Sequence, residues 1–246
     1  MRNGPGAGKR EAAAAAKQQA LFERIPQGSL VTAIAEVVSD PNLRSIRVGR
    51  RIVARLPREE VDRIGVREGD AWDEQLELRI GEALRLERAR MVASRALERR
   101  PLSRREVATR LMRQGFEAAI ANRAADDALR AGLIDERAYA EAVIRSTTHS
   151  RPAGRRLLES KLMARGIGMQ TARDAAADAV KDRDAFADAL ALARAKRRTL
   201  PPGLDAKAGT RRLVGLLARR GFDAGVAFRA AREALDFREG QEEDPD

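Results

Sequence analysis

The 246-residue chain has no cysteine, one histidine, one tryptophan and one tyrosine. The lack of cysteine excludes a disulfide framework, thiolate zinc sites and cysteine nucleophiles, and fits an intracellular protein. With His149 as the sole imidazole, the usual nucleophile–base pairs are nearly excluded too. His149 falls at the C-terminal end of a helical stretch, where it complements the carbonyl dipole. The glycine stretch "GPGAG" (4–8) has no Lys-Ser/Thr after it and no strand before it, so it is no phosphate loop. Carboxylates are plentiful but dispersed, and Asp126 and Asp127, side by side on a helix, face different ways. The chain is therefore not expected to be an enzyme, nor to carry catalytic residues, a metal or a cofactor. No apolar run approaches the roughly 20 residues that span a bilayer. The N-terminus lacks the apolar segment of a secretory signal. A cytoplasmic protein without membrane contact is the expectation.

Charge and small apolar residues are what the chain has in quantity. Charged residues make up 35% and hydrophobic ones 43%, but aromatics only 3%, so the core must be built from Leu, Val, Ile and Ala on closely packed helices. Six of the 48 basic residues are Lys, the rest Arg, and the net charge of +11 points to a polyanionic partner. Residues 1–28 lack a hydrophobic period and read as a flexible arm. Residues 29–80 read as a small α+β domain. In it, "SLVTAIAEVV", "LRSIRV" and "RIVARL" make a three-stranded antiparallel meander, with Asp40-Pro41-Asn42 as the first turn and Gly49 in the second. "PREEVDRIGV" is a short helix, with Pro57 early, Glu59 and Glu60 in the first turn and Gly65 as the stop. Trp72 is expected as the apolar lid of the sheet.

Beyond this domain the pattern is helical and repeats. "LMRQGF" (111–116) returns as "LMARGI" (162–167) and "LARRGF" (217–222). Eight residues before each glycine stand Val107, Leu158 and Leu213, and four before stand Leu111, Leu162 and Leu217, one helix face. Directly after the glycine come Phe116, Ile167 and Phe222, and fourteen after it Leu129, Val180 and Leu235, the far end of a second amphipathic helix. The glycine is the left-handed residue joining the two helices. A capping box, Ser103 to Glu106, opens the first copy, and helices at about 84–99, 135–148 and 182–199 precede the copies. The expected fold is mainly α. Three tandem three-helix bundle repeats (81–134, 135–181 and 182–236) form an elongated curved body, preceded by the β-containing domain and followed by an acidic tail, 237–246.

Basic residues recur on the middle helix of every repeat. They are Arg104, Arg105, Arg110 and Arg113 in the first, Arg155, Arg156, Lys161 and Arg165 in the second, and Arg211, Arg212, Arg219 and Arg220 in the third. The helix after each glycine is Ala-rich and mixed or acidic. Asp126, Asp127, Asp174 and Asp178 there would repel phosphates, which disfavours a helix-turn-helix reader of base sequence. The twelve basic residues are the expected binding set, for phosphates or for an acidic protein groove. Of the net charge, residues 1–24 carry +3 and residues 236–246 carry −5, so the stretch between carries +13. The tail is thus expected to compete with DNA for that stretch, and its deletion should raise affinity for single-stranded DNA at low salt.

The repeated glycine motif, the link "GLIDERAYAEAVIRS" (132–146) and "RPAGRRLLESKLMARGI" (151–167) resemble the RecX family, regulators of the RecA recombinase. "GRRIVARLPREEVDRIGVREGD" is similar to the segment that precedes the repeats in many members. The likeness covers about 29–236. It departs at Val48, where members often carry Asp, and at Thr171, in a slot filled by Ile120 and Val226, which implies a looser second repeat. The resemblance implies a monomeric, non-catalytic protein that lies in the groove of the RecA–DNA filament and inhibits recombinase, ATPase and co-protease activity in DNA repair and the SOS response. It would contact the filament and, without sequence preference, single- and double-stranded DNA. The other reading open is a sequence-nonspecific DNA-binding protein that acts without touching the recombinase.

Overall fold

The computed structural model describes residues 7–236. Residues 1–6 of the expected arm and the acidic tail, 237–246, lie outside them. The chain divides into two compact units that part between Ile134 and Asp135. In the first, strands β1 (Val31–Val37), β2 (Asp40–Val48) and β3 (Arg51–Pro57) form an antiparallel sheet in the order β1-β2-β3, the expected meander. Its first turn is Val38-Ser39 rather than Asp40-Pro41-Asn42. Asp40 already pairs with Val37, and its carboxylate accepts the Asn42 N–H at 3.0 Å. Pro41, which has no N–H, falls in the stretch of β2 that has no partner in β1, so no ladder bond is lost. The second turn uses Gly49 at φ +54.

Helix α2 (Arg58–Ile64) follows, with Pro57 at its N-cap and Gly65 in the left-handed region at its end. One face of the sheet supplies Ile46, Val48, Val53, Ala54 and Leu56 to a core that Trp72 completes, fully buried. The expected flexible arm is largely a helix, α1 (Ala7–Phe22), whose alanines favour that conformation. Phe22 and Ile25 bury themselves in the small core, and the Phe22 ring meets Trp72 edge-on at 5.2 Å. Arg88 holds the same helix through Glu11 at 3.0 Å and Gln18 at 2.8 Å.

Helix α3 (Glu74–Leu97) starts well before residue 84, because Asp73 caps it by accepting the Leu76 N–H at 2.7 Å. It crosses the expected domain limit at residue 80 and serves two cores. Leu76, Ile80 and Ala83 belong to the sheet's, and Leu86, Ala89, Ala93 and Ala96 to a helical one shared with α4 (Arg104–Arg113) and α5 (Ala118–Arg130). The second unit contains α6 (Glu136–Thr148), α7 (Arg155–Ala164) and α8 (Met169–Val180) around one core. It continues with α9 (Ala185–Arg197), α10 (Ala206–Arg219) and α11 (Ala224–Asp236) around another. Asp135, Asp184 and Asp205 cap α6, α9 and α10, and His149 stands at the C-cap of α6.

The three glycine motifs share one hydrogen-bond pattern. The N–H groups of Phe116, Ile167 and Phe222 donate to Leu111, Leu162 and Leu217 at 3.3, 3.1 and 3.1 Å, and Gly115, Gly166 and Gly221 have positive φ. This is the Schellman arrangement, in which the residues bridged by the longer bond also bury their side chains against each other. Each buried leucine contributes about 1.5–3 kcal/mol. At the far end of the second face Val180 and Leu235 pack against their cores as expected, and the first copy alone differs. Leu129 is 37% exposed and Ala128 is buried instead, since close packing of α5 on α3 admits a methyl group and not a leucine.

Candidate polyanion-binding surface

Middle helices α4, α7 and α10 each turn an apolar stripe inward, Val107/Leu111, Leu158/Leu162 and Leu213/Leu217, and their basic residues lie on the remaining faces. Those residues separate into two groups. Arg105, Arg113, Lys161, Arg211, Arg212 and Arg219 are exposed and, among the described residues, have no carboxylate partner. On α4, Arg105 and Arg113 fall eight residues apart, within one quarter turn, with exposed Met112 beside them. Counting back ten residues from each glycine gives Arg105, Arg156 and Arg211, the column that recurs exposed three times.

The other group departs from expectation. Arg104 makes a two-pronged pair with Asp126 of α5 at 2.7 and 2.9 Å, and the hydrogen bond from Arg104 holds the Asp126 carboxyl below the usual range. Asp127 likewise bonds Arg90 at 2.7 Å and pairs with Arg130. Asp126 and Asp127, expected from sequence to repel phosphates, therefore serve the fold. Arg155 pairs with Glu159 at 2.6 Å, Arg156 with Asp223 at 3.0 Å, and Arg165 reaches the Tyr139 hydroxyl at 3.4 Å. Arg110 is half-buried, its Nε without a hydrogen-bond partner among the described residues. The Arg211-Arg212 doublet is displaced by one residue, so that Thr210, bonded to the Ala206 carbonyl, stands where Arg104 and Arg155 stand.

Arg220 points into the fold. Its Nε donates to the Pro152 carbonyl at 3.0 Å and its Nη2 to that of Arg151 at 2.6 Å. Burial, and then the charge of Arg151, lower its pKa from the ordinary arginine value. Beside it the Gly154 N–H donates to the Arg220 carbonyl at 2.8 Å. A Cβ on Gly154 would stand 2.2 Å from the Gly221 carbonyl oxygen, and one on Gly221 2.2 Å from the Leu157 nitrogen. The start of α7 is thus seated on the glycine turn that ends α10.

Glu60, by sequence a first-turn acid of α2, has a further role. It is 2% exposed and is met by Arg63, by Arg90 at 2.7 Å and by Arg123 at 3.9 Å. Arg90 joins it to Glu87 and Asp127, tying α2, α3 and α5 together. Burial works to lower the Arg90 pKa, but the bonds to Asp127, Glu87 and Glu60 outweigh it and hold the pKa above the ordinary value; burial raises that of Glu87. Among the described residues no group of three or more His, Asp or Glu is placed to hold a metal ion. Nor is any helix there long and apolar enough to cross a membrane.

No protein-family model matches the chain. It is 35% identical over 157 residues to the regulatory protein RecX of Thermobifida fusca, which covers 64% of this chain and 83% of that protein. It is 36% identical over 145 residues to that of Corynebacterium efficiens, covering 58% and 69%. The chain belongs to the RecX family of regulatory proteins. A crystal structure of a regulatory protein RecX has the same fold, with a TM-score of 0.58 at 17% identity over 80% of this chain and 96% of that one. For a RecX chain, the segment "RPAGRRLL" (151–158) has a physical reason for its residues here. Arg151 and Pro152 offer carbonyls to Arg220, Gly154 admits Gly221, and Leu158 fills the core.

Proposed function

We propose that the chain regulates the RecA recombinase by binding the RecA–DNA filament through its middle helices and inhibiting recombinase, ATPase and co-protease activity. The three helix trios, α3–α5, α6–α8 and α9–α11, are on this reading tandem copies of one unit, with one basic middle helix apiece. The observation that carries the proposal is that six cationic side chains on those helices, Arg105, Arg113, Lys161, Arg211, Arg212 and Arg219, are exposed without carboxylate partners, while most other basic residues of the set bind within the fold. Unneutralised guanidinium groups suit phosphates and acidic protein groups alike. Family membership, with its regulatory role, supports the recombinase as target. The same side chains also suit plain DNA binding, the second reading.

One experiment separates the two. As a filament regulator, the chain suppresses RecA-dependent, DNA-stimulated ATP hydrolysis at amounts well below those of RecA, on preassembled filaments as well as during assembly. As a plain DNA binder it inhibits only by coating free DNA. Sparing of preassembled filaments overturns the first reading.

A further inference from the structure

The arginines of the first unit are not spread evenly with respect to carboxylates. Arg44, Arg58, Arg63, Arg85, Arg88, Arg90, Arg100, Arg104, Arg123 and Arg130 all have an acidic partner. Arg44, on β2, belongs to that set; the other four arginines of β2, β3 and the turn between them do not. Register puts Ala33, Arg47 and Ile52 in one row across the three strands and Ala35, Ser45 and Arg55 in the next, with Arg50 and Arg51 at the turn that ends them. Arg47, Arg50, Arg51 and Arg55 are exposed and, among the described residues, without a side-chain partner. The carboxylates nearest in sequence and register are engaged elsewhere: Glu36 pairs with Arg44 at 2.8 Å, Glu68 accepts the Ile34 N–H at 2.8 Å, and Asp40 holds Asn42. A slip in register between Ile46 and Arg47 sets Ile52, and not Val53, opposite Arg47, so that Val53 stays in the core.

We infer that the outer face of this sheet is a second binding surface, for the sugar–phosphate backbone of nucleic acid, separate from the middle helices. Low side chains (Ala33 and Ala35 on edge strand β1, Ser45 on β2) lie beside guanidinium groups on β2, on β3 and at the turn between them, a shape that admits a strand and ties down its phosphates. The face has no aromatic ring on which a base could stack, so contact is with the backbone and indifferent to sequence. An acidic protein fits less well. Protein interfaces take their affinity from buried aromatic and apolar anchors, and the face offers no aromatic ring, only Ile52, 37% exposed, with half-buried Leu43 and Pro57 at its far end. The inference goes beyond the proposed filament binding and stands without it.

The test uses the full chain and a fluorescently labelled oligothymidylate, with anisotropy followed over a salt series. The variant Arg47→Gln/Arg50→Gln/Arg55→Gln should make the slope of log affinity against log salt shallower by about 2, at roughly 0.7 per lost phosphate contact. A control, Arg173→Gln/Arg198→Gln/Arg232→Gln, removes equal charge from exposed positions of the second unit and should leave most of the slope in place. Trp72 fluorescence verifies that the first unit stays folded. An unchanged slope in the sheet variant, or an equal loss in the control, overturns the inference. So does a sheet variant that keeps oligothymidylate binding and loses binding to polyglutamate, which would assign the face to an acidic protein.

Discussion

The two compact units are each held together between their parts, by opposite means. In the first, a buried carboxylate, Glu60, is ringed by Arg63, Arg90 and Arg123, and Arg90 carries the network on to Glu87 and Asp127. In the second, the buried contact is backbone on backbone, with the exposed Arg156–Asp223 pair beside it. Gly154 lies against Gly221, and Arg220 closes the joint by donating to two carbonyls. The ionic joint depends on every member keeping its charge, because a charge left alone in the interior is costly. The glycine joint depends on the absence of one methyl group. Arginine accordingly has two structural uses before any is left for a ligand: as counter-ion in the first unit and as carbonyl clamp in the second.

The contrast is open to measurement because the chain has one tryptophan and one tyrosine, both buried, Trp72 in the first unit and Tyr139 in the second. The largest effect should come from Glu60→Ala. It leaves Arg63 and Arg90 without their shared acid, though Arg90 keeps Glu87 and Asp127, and should destabilise the first unit by about 2–3 kcal/mol. Urea unfolding read at Trp72 should shift by that amount, with the Tyr139 signal in near-UV circular dichroism unmoved. Gly154→Ala should do the reverse. Its methyl group meets backbone, which no rotamer change relieves, and should cost the second unit about 1–3 kcal/mol. Equal shifts of both probes in either variant would mean that the joints do not act within their own units.

Much of this architecture was legible because its causes are local. The left-handed glycine after Leu111, Leu162 and Leu217 follows from a short-range pattern, and so do the meander, the stop at Gly65 and the cap at Ser103. The joints were illegible for the converse reason. Glu60 reads as an ordinary first-turn acid of a short helix, and nothing nearby announces Arg90 or Arg123. Nothing around Gly154 in sequence announces Gly221, 67 residues away. Helix α1 is hard to see in sequence because its alanines carry no periodic stripe, and its anchors come late, Phe22 in its last turn and Ile25 just beyond it. For the candidate surface, sequence supplied the helices and their charge but could not tell paired arginines from unpaired ones. That distinction depends on Glu159 on the same helix, Asp126 on a neighbouring one and Asp223 in the turn before α11.

A smaller effect tests that distinction by pH. Asp126 has its pKa lowered in the folded state by Arg104, so the pair stabilises above the ordinary aspartate pKa of about 3.9, and the contribution is lost as pH falls through the lowered value. Both side chains are partly exposed, which limits the contribution to about 0–1 kcal/mol. Arg104→Gln should therefore lower stability slightly at neutral pH, and its deficit relative to the parent should close in acid. In NMR titration the Asp126 carboxyl should return to the usual range. A deficit that persists at low pH would assign the effect to lost packing of the Arg104 stem and not to the ion pair.

The smallest expected change in stability separates neighbours on one helix. Arg105→Gln and Arg113→Gln remove exposed cations without partners, so unfolding free energy should stay within about 0.5 kcal/mol of the parent. If the proposed function holds, suppression of RecA ATP hydrolysis should weaken all the same, because nothing inside the fold has a claim on those charges. Arg104→Gln supplies the matched comparison, with equal loss of charge from the same helix and a side chain already committed to Asp126. If pairing decides which arginines are available to a ligand, inhibition should survive Arg104→Gln and suffer in the other two. Equal weakening in all three would mean that the total charge of α4, and not the free members of it, sets the interaction.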